Sequence, residues 1–267
     1  MGKKNLTYQD VRELEPQDPK IDGYFTREAR DLCAKELLIE PLAIDTVVAI
    51  AKYILHMRPR FVSDDDQQRF IDYARQGVIF TPNHSDFTDI LTIGTLARNY
   101  AHIYPRYVGK ASLPVFLNHL GLIPIDRAEG AHMGWLKALI KITEHTLKVE
   151  GRSQILFPEG VIYPDDNFVH ELQPGVVSLA KTAKIVPIGI HGTAGIVSGL
   201  DVTSFPETLL HHHDITVAVG EPIDLNPKAL KESGYDIPEK GSEQKEFMTF
   251  LLQVLMQEQL NRAVLVD

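Results

Sequence analysis

The stretch Val78-Ile-Phe-Thr-Pro-Asn-His-Ser-Asp-Phe-Thr-Asp89 places two reactive side chains, His84 and Asp89, five positions apart behind an apolar run. Imidazole changes charge between about pH 5 and 8, and a neighbouring carboxylate can aim the ring and stabilise its protonated form. Such a pair is suited to take a proton from a hydroxyl group near neutral pH. The His-x4-Asp spacing restricts how the two can meet. Residues five apart on one continuous helix are separated by roughly 140°, so a wholly helical pair would not touch. They meet if His84 lies on a turn leaving a strand and Asp89 lies in the first turn of the following helix. Asp86 then supplies the N-cap, Asp89 falls at the third helical position, and Leu91, Leu96 and Ala97 provide apolar positions behind them. Ser85 adjoins the base but lies in no G-x-S-x-G elbow, and it reads as a structural turn residue.

Three later segments carry further candidates. Gly121-Leu-Ile-Pro-Ile-Asp-Arg127 ends in a guanidinium suited to bidentate contact with phosphate oxygens. Leu156-Phe-Pro-Glu-Gly160 sets the carboxyl group of Glu159 between a rigid Pro158 and an unhindered Gly160, and Ile185-Val-Pro-Ile-Gly-Ile190 reads as a buried strand. With Asn83-His84 through Asp89, these segments resemble the four ordered motif blocks of the glycerolipid acyltransferase family, which contains glycerol-3-phosphate and lysophosphatidic acid acyltransferases. The resemblance runs from about Val78 to Leu225, and Val217-Ala-Val-Gly-Glu-Pro-Ile223 is similar to the family's last strand.

The resemblance implies transfer of a fatty acyl group from an acyl-CoA or acyl-carrier-protein thioester to a hydroxyl of a lysophospholipid or glycerol phosphate. No cofactor is expected beyond the donor substrate. His84 would be the general base, Asp89 its orienting partner, and Glu159, Gly160 and Arg127 would lie around the acceptor. Lys110 is a second candidate for the phosphate, with a plain surface role as its alternative. Donors for the developing oxyanion could be backbone amides near Glu159 and Gly160 or near Lys110, and the sequence leaves that choice open. One departure stands out: where the family continues with Thr or Ser, then Arg, then Ser, this chain has Val161-Ile-Tyr163. The missing arginine gives weight to acceptors less polar than a phosphate ester.

The elements that must position these residues follow from the periodicity. Strand-like stretches at Val78 to Thr81, Ile103 to Val108, Leu122 to Ile125, Gln154 to Phe157, Ile185 to Ile190 and Ile215 to Val219 alternate with helical ones at Asp86 to Tyr100, His132 to Val149 and Pro174 to Lys184. This predicts an α/β fold: a mainly parallel mixed sheet flanked by helices, with a helical N-terminal addition over residues 1–60 and the α/β domain over residues 61–267. In that architecture His84, Lys110 and Glu159 gather beyond the carboxyl ends of strands. Thr26 to Met57 reads helical with a break near Glu40-Pro41, and its apolar second half either packs on the sheet or docks on lipid. Asp64-Asp-Asp66 opens a further helix, and Ser242 to Val266 forms a terminal helix packing at the sheet edge.

At 267 residues, with 44% hydrophobic and 24% charged residues, the chain is an ordinary globular one. A net charge of -9 excludes general nucleic-acid binding and whole-surface attraction to anionic lipid, so membrane contact must be local; Arg98, Arg106 and Lys110 are candidates for a basic patch. The single Cys33 excludes an intramolecular disulfide and fits a reducing compartment. No secretory leader or transmembrane helix is expected, which suggests a cytoplasmic protein, peripheral on the inner face of a membrane. Two rival readings remain: a metal-dependent hydrolase and a non-catalytic lipid-binding protein on the same fold. His211-His-His213 lacks the spacing of a zinc motif, and no metal is expected.

Overall fold

The computed structural model describes residues 40–110, 121–125, 132–148, 150–180, 182–197, 211–239 and 241–266. Within them a seven-stranded sheet has the order β1-β7-β6-β2-β5-β3-β4. The strands are β1 (Met57–Phe61), β2 (Ile79–Pro82), β3 (Arg106–Lys110), β4 (Leu122–Ile125), β5 (Gln154–Leu156), β6 (Ile185–His191) and β7 (His213–Val219). Every pairing is parallel except β6 with β7, so β1 and β7 run against the other five. The predicted mainly parallel mixed sheet is the one observed.

Helices cover both faces, as apolar strands require. On one face, α1 (Glu40–Tyr53), α2 (Asp64–Gln76) and α3 (Thr88–Leu96) close over Phe80, Ile188, Ile190 and Val217, with Phe70, Ile93 and Leu96 among the packing side chains. On the other, α4 (His132–Lys148), α5 (Gly175–Leu179), α6 (Pro227–Glu232) and α7 (Ser242–Val264) cover Ile79, Val108, Ile123 and Ile185 through Leu139, Leu179, Leu230, Leu252 and Leu260. The triple acidic run does open α2: Ser63 is its N-cap and accepts from Asp66 N, while negative charge sits in the first turn. Asp66 itself is wholly buried, accepting from Val219 N at 2.7 Å and from Arg262 at 2.7 Å, which ties α7 to the sheet.

Several expectations need correction. The helical reading of Thr26 to Met57 missed β1. Met57-Arg-Pro-Arg-Phe61 has no β-branched residue and contains a proline, which an edge strand tolerates and a sequence reading penalises. The helix expected to reach Tyr100 gives way after Leu96 to a π turn, Ala97–Ala101, closed by His102 in the left-handed region at φ 56°. The strand after it consequently begins at Arg106 rather than Ile103. α5 stops at Leu179, five residues short. The terminal helix lies on the sheet rather than at its edge, close enough that a Cβ at Gly189 would collide with the backbone of Gln259 and Leu260. The basic patch is also absent as drawn. Arg106 is 5% exposed and paired with Glu150, and Arg98 is paired with Asp45.

Candidate active site

The shared direction of β2, β3, β5 and β6 brings their carboxyl ends to one edge of the sheet, and the chain leaving β2 turns there. Asn83 makes this turn an extension of the β2–β6 ladder. Its amide donates to Ile190 O at 2.9 Å and its oxygen accepts from Ile190 N at 2.7 Å. Asp86 lies two residues before α3, whose N-cap is Phe87 rather than the expected Asp86, and its Oδ1 accepts from Thr88 N at 2.9 Å and from the Thr88 hydroxyl at 3.0 Å. Its other oxygen accepts from Val197 N at 3.0 Å, joining the turn to the loop that follows β6.

His84 and Asp89 meet as the spacing requires. Asp89 Oδ2 accepts from Ser85 N at 2.7 Å and Asp86 N at 2.9 Å, and lies 3.1 Å from His84 Nδ1. A carboxylate in this position accepts, so Nδ1 carries the proton and Nε2 presents its lone pair. Asp89 is wholly buried, whereas the His84 side chain keeps 13% exposure. The imidazole stacks on Phe157 with centroids 4.1 Å apart and planes 27° apart, which fixes the ring from a second side. Ser85 is buried and its hydroxyl accepts from Asn83, so it belongs to the turn.

The segment after β5 builds the rest of that turn. Glu159 Oε1 accepts from His84 N at 2.9 Å and Oε2 accepts from His170 N at 3.3 Å. Tyr163 N donates to His84 O at 2.9 Å, so the backbone of the histidine is held on both sides by one loop. Glu159 is 1% exposed, and burial pushes its carboxyl up to about 7, against the opposing effect of the two amide donors. Gly160 stands at φ 77°, a conformation that favours glycine, and its N–H closes the turn onto Phe157 O at 3.1 Å. Tyr163 stacks on His170 with centroids 3.8 Å apart. The loop is anchored by Gln253 and Gln257 of α7, which bond Val169 and Asn167, and by Asp166, which accepts from Gly192 N at 2.7 Å.

Beside this turn lies an apolar cavity of about 50 Å³, lined among others by Leu136, Leu139, Leu156, Phe157, Val176 and Leu179. Phe157, on which the His84 ring stacks, is among its lining residues. Of the residues singled out in the sequence, the structure brings together His84, Asp89, Glu159 and Gly160. Lys110 ends β3 at the same sheet edge. Arg127 lies outside the described residues. His211 to His213 lead into β7, with His212 edge-on to His56 rather than in the turn around His84. Sequence reasoning missed Asn83, Phe157 and the Tyr163 amide. Asn83 had a signal in its place beside the histidine, whereas a backbone donor leaves none.

Residues 59–191, from β1 to the end of β6, match the family model described as Acyltransferase. Over 150 residues, 54% of its length, the chain is 27% identical to 1-acyl-sn-glycerol-3-phosphate acyltransferase BAT2, chloroplastic, of Brassica napus, and the match spans 40% of that protein. With the segments Asn83–Asp89 and Phe157–Gly160 meeting at the His84 turn inside the matched region, the chain belongs to the glycerolipid acyltransferase family.

Proposed function

We propose that the protein moves a fatty acyl group from an acyl-CoA or acyl-carrier-protein thioester to a hydroxyl of a lysophospholipid or glycerol phosphate. The observation that carries this reading is the contact of His84 Nδ1 with the buried Asp89, which leaves Nε2 as the proton acceptor on the partly exposed side chain. The acceptor oxygen attacks the thioester carbonyl carbon as its proton passes to Nε2. The tetrahedral oxyanion then collapses, the carbon–sulfur bond breaks, and the imidazolium returns the proton to the leaving thiolate. General-base assistance of this kind is worth about 10²–10⁴ in rate. Arg127 and Lys110 are the cations proposed for an acceptor phosphate.

Glu159 and Gly160 serve the acceptor side in this reading by shaping the turn, since both Glu159 oxygens accept backbone hydrogen bonds. Exposed Ile50, Tyr53 and Ile54 at the end of α1 support local contact with lipid. Among the described residues no helix is long and apolar enough to cross a membrane. Thiol release from acyl-CoA across a panel of lysolipids and glycerol phosphate tests the proposal. Release that depends on one acceptor class supports it, and lipid binding without acceptor-dependent release overturns it.

A further inference from the structure

Three chain segments meet at the His84 turn. Residues 82–97 carry the His84–Asp89 pair, residues 153–180 reach it through Phe157, Glu159 and Tyr163, and residues 185–197 reach it through Ile190 and Val197. None of these segments contains a lysine or an arginine, and together they hold six carboxyl groups, those of Asp86, Asp89, Glu159, Asp165, Asp166 and Glu171. Glu159, raised by burial to about 7, carries part of a charge near neutral pH, and Asp166 is engaged by Gly192 N and His191. On the loop after β5, Glu171 is exposed and Asp165 half-buried. The same loop exposes Val161 (42%) and Phe168 (63%), so the surface it offers is apolar, aromatic and acidic. Lys110 ends β3 and Arg127 follows β4, strands that stand second and third from β2, about 10 and 14 Å away at about 4.8 Å per strand.

The covalent structure of the acceptor decides where its charge falls. In a lysophospholipid with its free hydroxyl on the central glycerol carbon, the phosphate sits on the next carbon, so a hydroxyl placed at His84 brings the phosphate to the same three segments. A phosphate monoester carries about −1.5 to −2 at pH 7, whereas a diester carries a single negative charge that an ammonium headgroup cancels. At an effective dielectric of about 20, an extra charge about 8 Å from a carboxylate shifts an equilibrium by about 30-fold, and screening by about 0.15 M salt leaves about fourfold. Asp165 and Glu171 together then disfavour the monoester about tenfold. We propose that, among lysophospholipids, the site takes an acceptor whose phosphate is a diester bearing an amine headgroup in preference to one ending in a free phosphate. The ammonium meets the carboxyl groups of Asp165 and Glu171 and the exposed ring of Phe168, since an aromatic face attracts a cation. The proposal narrows, and rests on, the reading of the protein as an acyltransferase with His84 as its base.

The test compares kcat/KM of the intact protein for lysophosphatidylethanolamine and lysophosphatidic acid of the same acyl chain, each at one mole fraction in uncharged detergent micelles. Thiol release from the acyl-CoA or acyl-carrier-protein donor is the readout. The amine-bearing acceptor is expected to be preferred about tenfold at about 0.15 M salt, and the preference is expected to shrink as salt rises to about 1 M. Val161→Arg adds a cation at an exposed position of the loop. It is expected to raise kcat/KM for lysophosphatidic acid about fourfold while that for lysophosphatidylethanolamine changes by less than about twofold. Equal use of the two acceptors, or preference for the phosphate monoester, overturns the proposal and leaves acyl transfer standing. A preference unmoved by salt, or unmoved by a folded Val161→Arg, also overturns it, and the salt series carries the test where that variant does not fold. Release that depends on neither acceptor overturns the acyl-transfer reading and the proposal with it.

Discussion

Glu159 offers a test whose size follows from the structure. Its carboxyl is 1% exposed, and burial raises it from the ordinary 4.5 to about 7 although two backbone amides favour the charged form. At about 1.4 kcal/mol per pH unit, this rise corresponds to about 3 kcal/mol of folding free energy. The sign follows from where the proton sits. Below pH 4.5 both folded and unfolded chains hold it, and the stabilising contribution of the neutral group is complete. Between 4.5 and 7 the folded chain keeps the proton that the unfolded chain releases, so stability falls as pH rises and levels off above 7. Glu159→Gln removes this titration and keeps nearly the same shape. Urea unfolding of both proteins at steps from pH 4 to 8 isolates the contribution, because other titrating groups cancel in the difference. The natural protein should lose about 3 kcal/mol relative to Glu159→Gln across that window. A flat difference, or one that grows in favour of the natural protein as pH rises, would refute the claim that burial outweighs the two amide donors.

His84→Ala should fold normally and lower acceptor-dependent thiol release by about 10²–10⁴; circular dichroism together with the release assay checks both parts. Gly160→Ala places a Cβ at φ 77° and should cost about 1–2 kcal/mol by urea unfolding, with lower turnover because the same turn leads to the Glu159–His84 contact. Arg127→Ala should raise KM for a phosphorylated acceptor well above any change for the acyl donor. Equal changes in the two KM values would count against its place beside the acceptor.

What could be read from the chain and what could not differ in the nature of the contacts. The meeting of His84 and Asp89 was legible because spacing, turn and helix start leave few ways to arrange them, although α3 starts one residue later than expected, with Phe87 rather than Asp86 at its N-cap. The parallel sheet was legible because strands buried on both faces are apolar without alternation, as in Ile185 to Ile190. β1 was hidden because Arg58, Pro59 and Arg60 look unlike a strand, and its place is set by pairing with β7 far along the chain. Arg106 reads as a surface cation until Glu150, 44 residues away, meets it in the interior. Glu159 was recognisable as important, but its partners are backbone amides 75 positions before it and 11 after it, and any residue other than proline supplies those.

That last point also explains how the altered third block can coexist with an intact turn. Tyr163 holds His84 through its own N–H, a contact indifferent to the side chain at 163. The substitutions are therefore free to change the surface around His84 while its backbone stays in place. Val161 is 42% exposed, Ile162 is half-buried, and the Tyr163 ring lies on His170. An apolar and aromatic surface stands where the family pattern has an arginine between two hydroxyl-bearing residues. A phosphate would find no cation in those three positions. The departure thus alters the surface beside His84 and leaves in place the contacts that hold its backbone and ring.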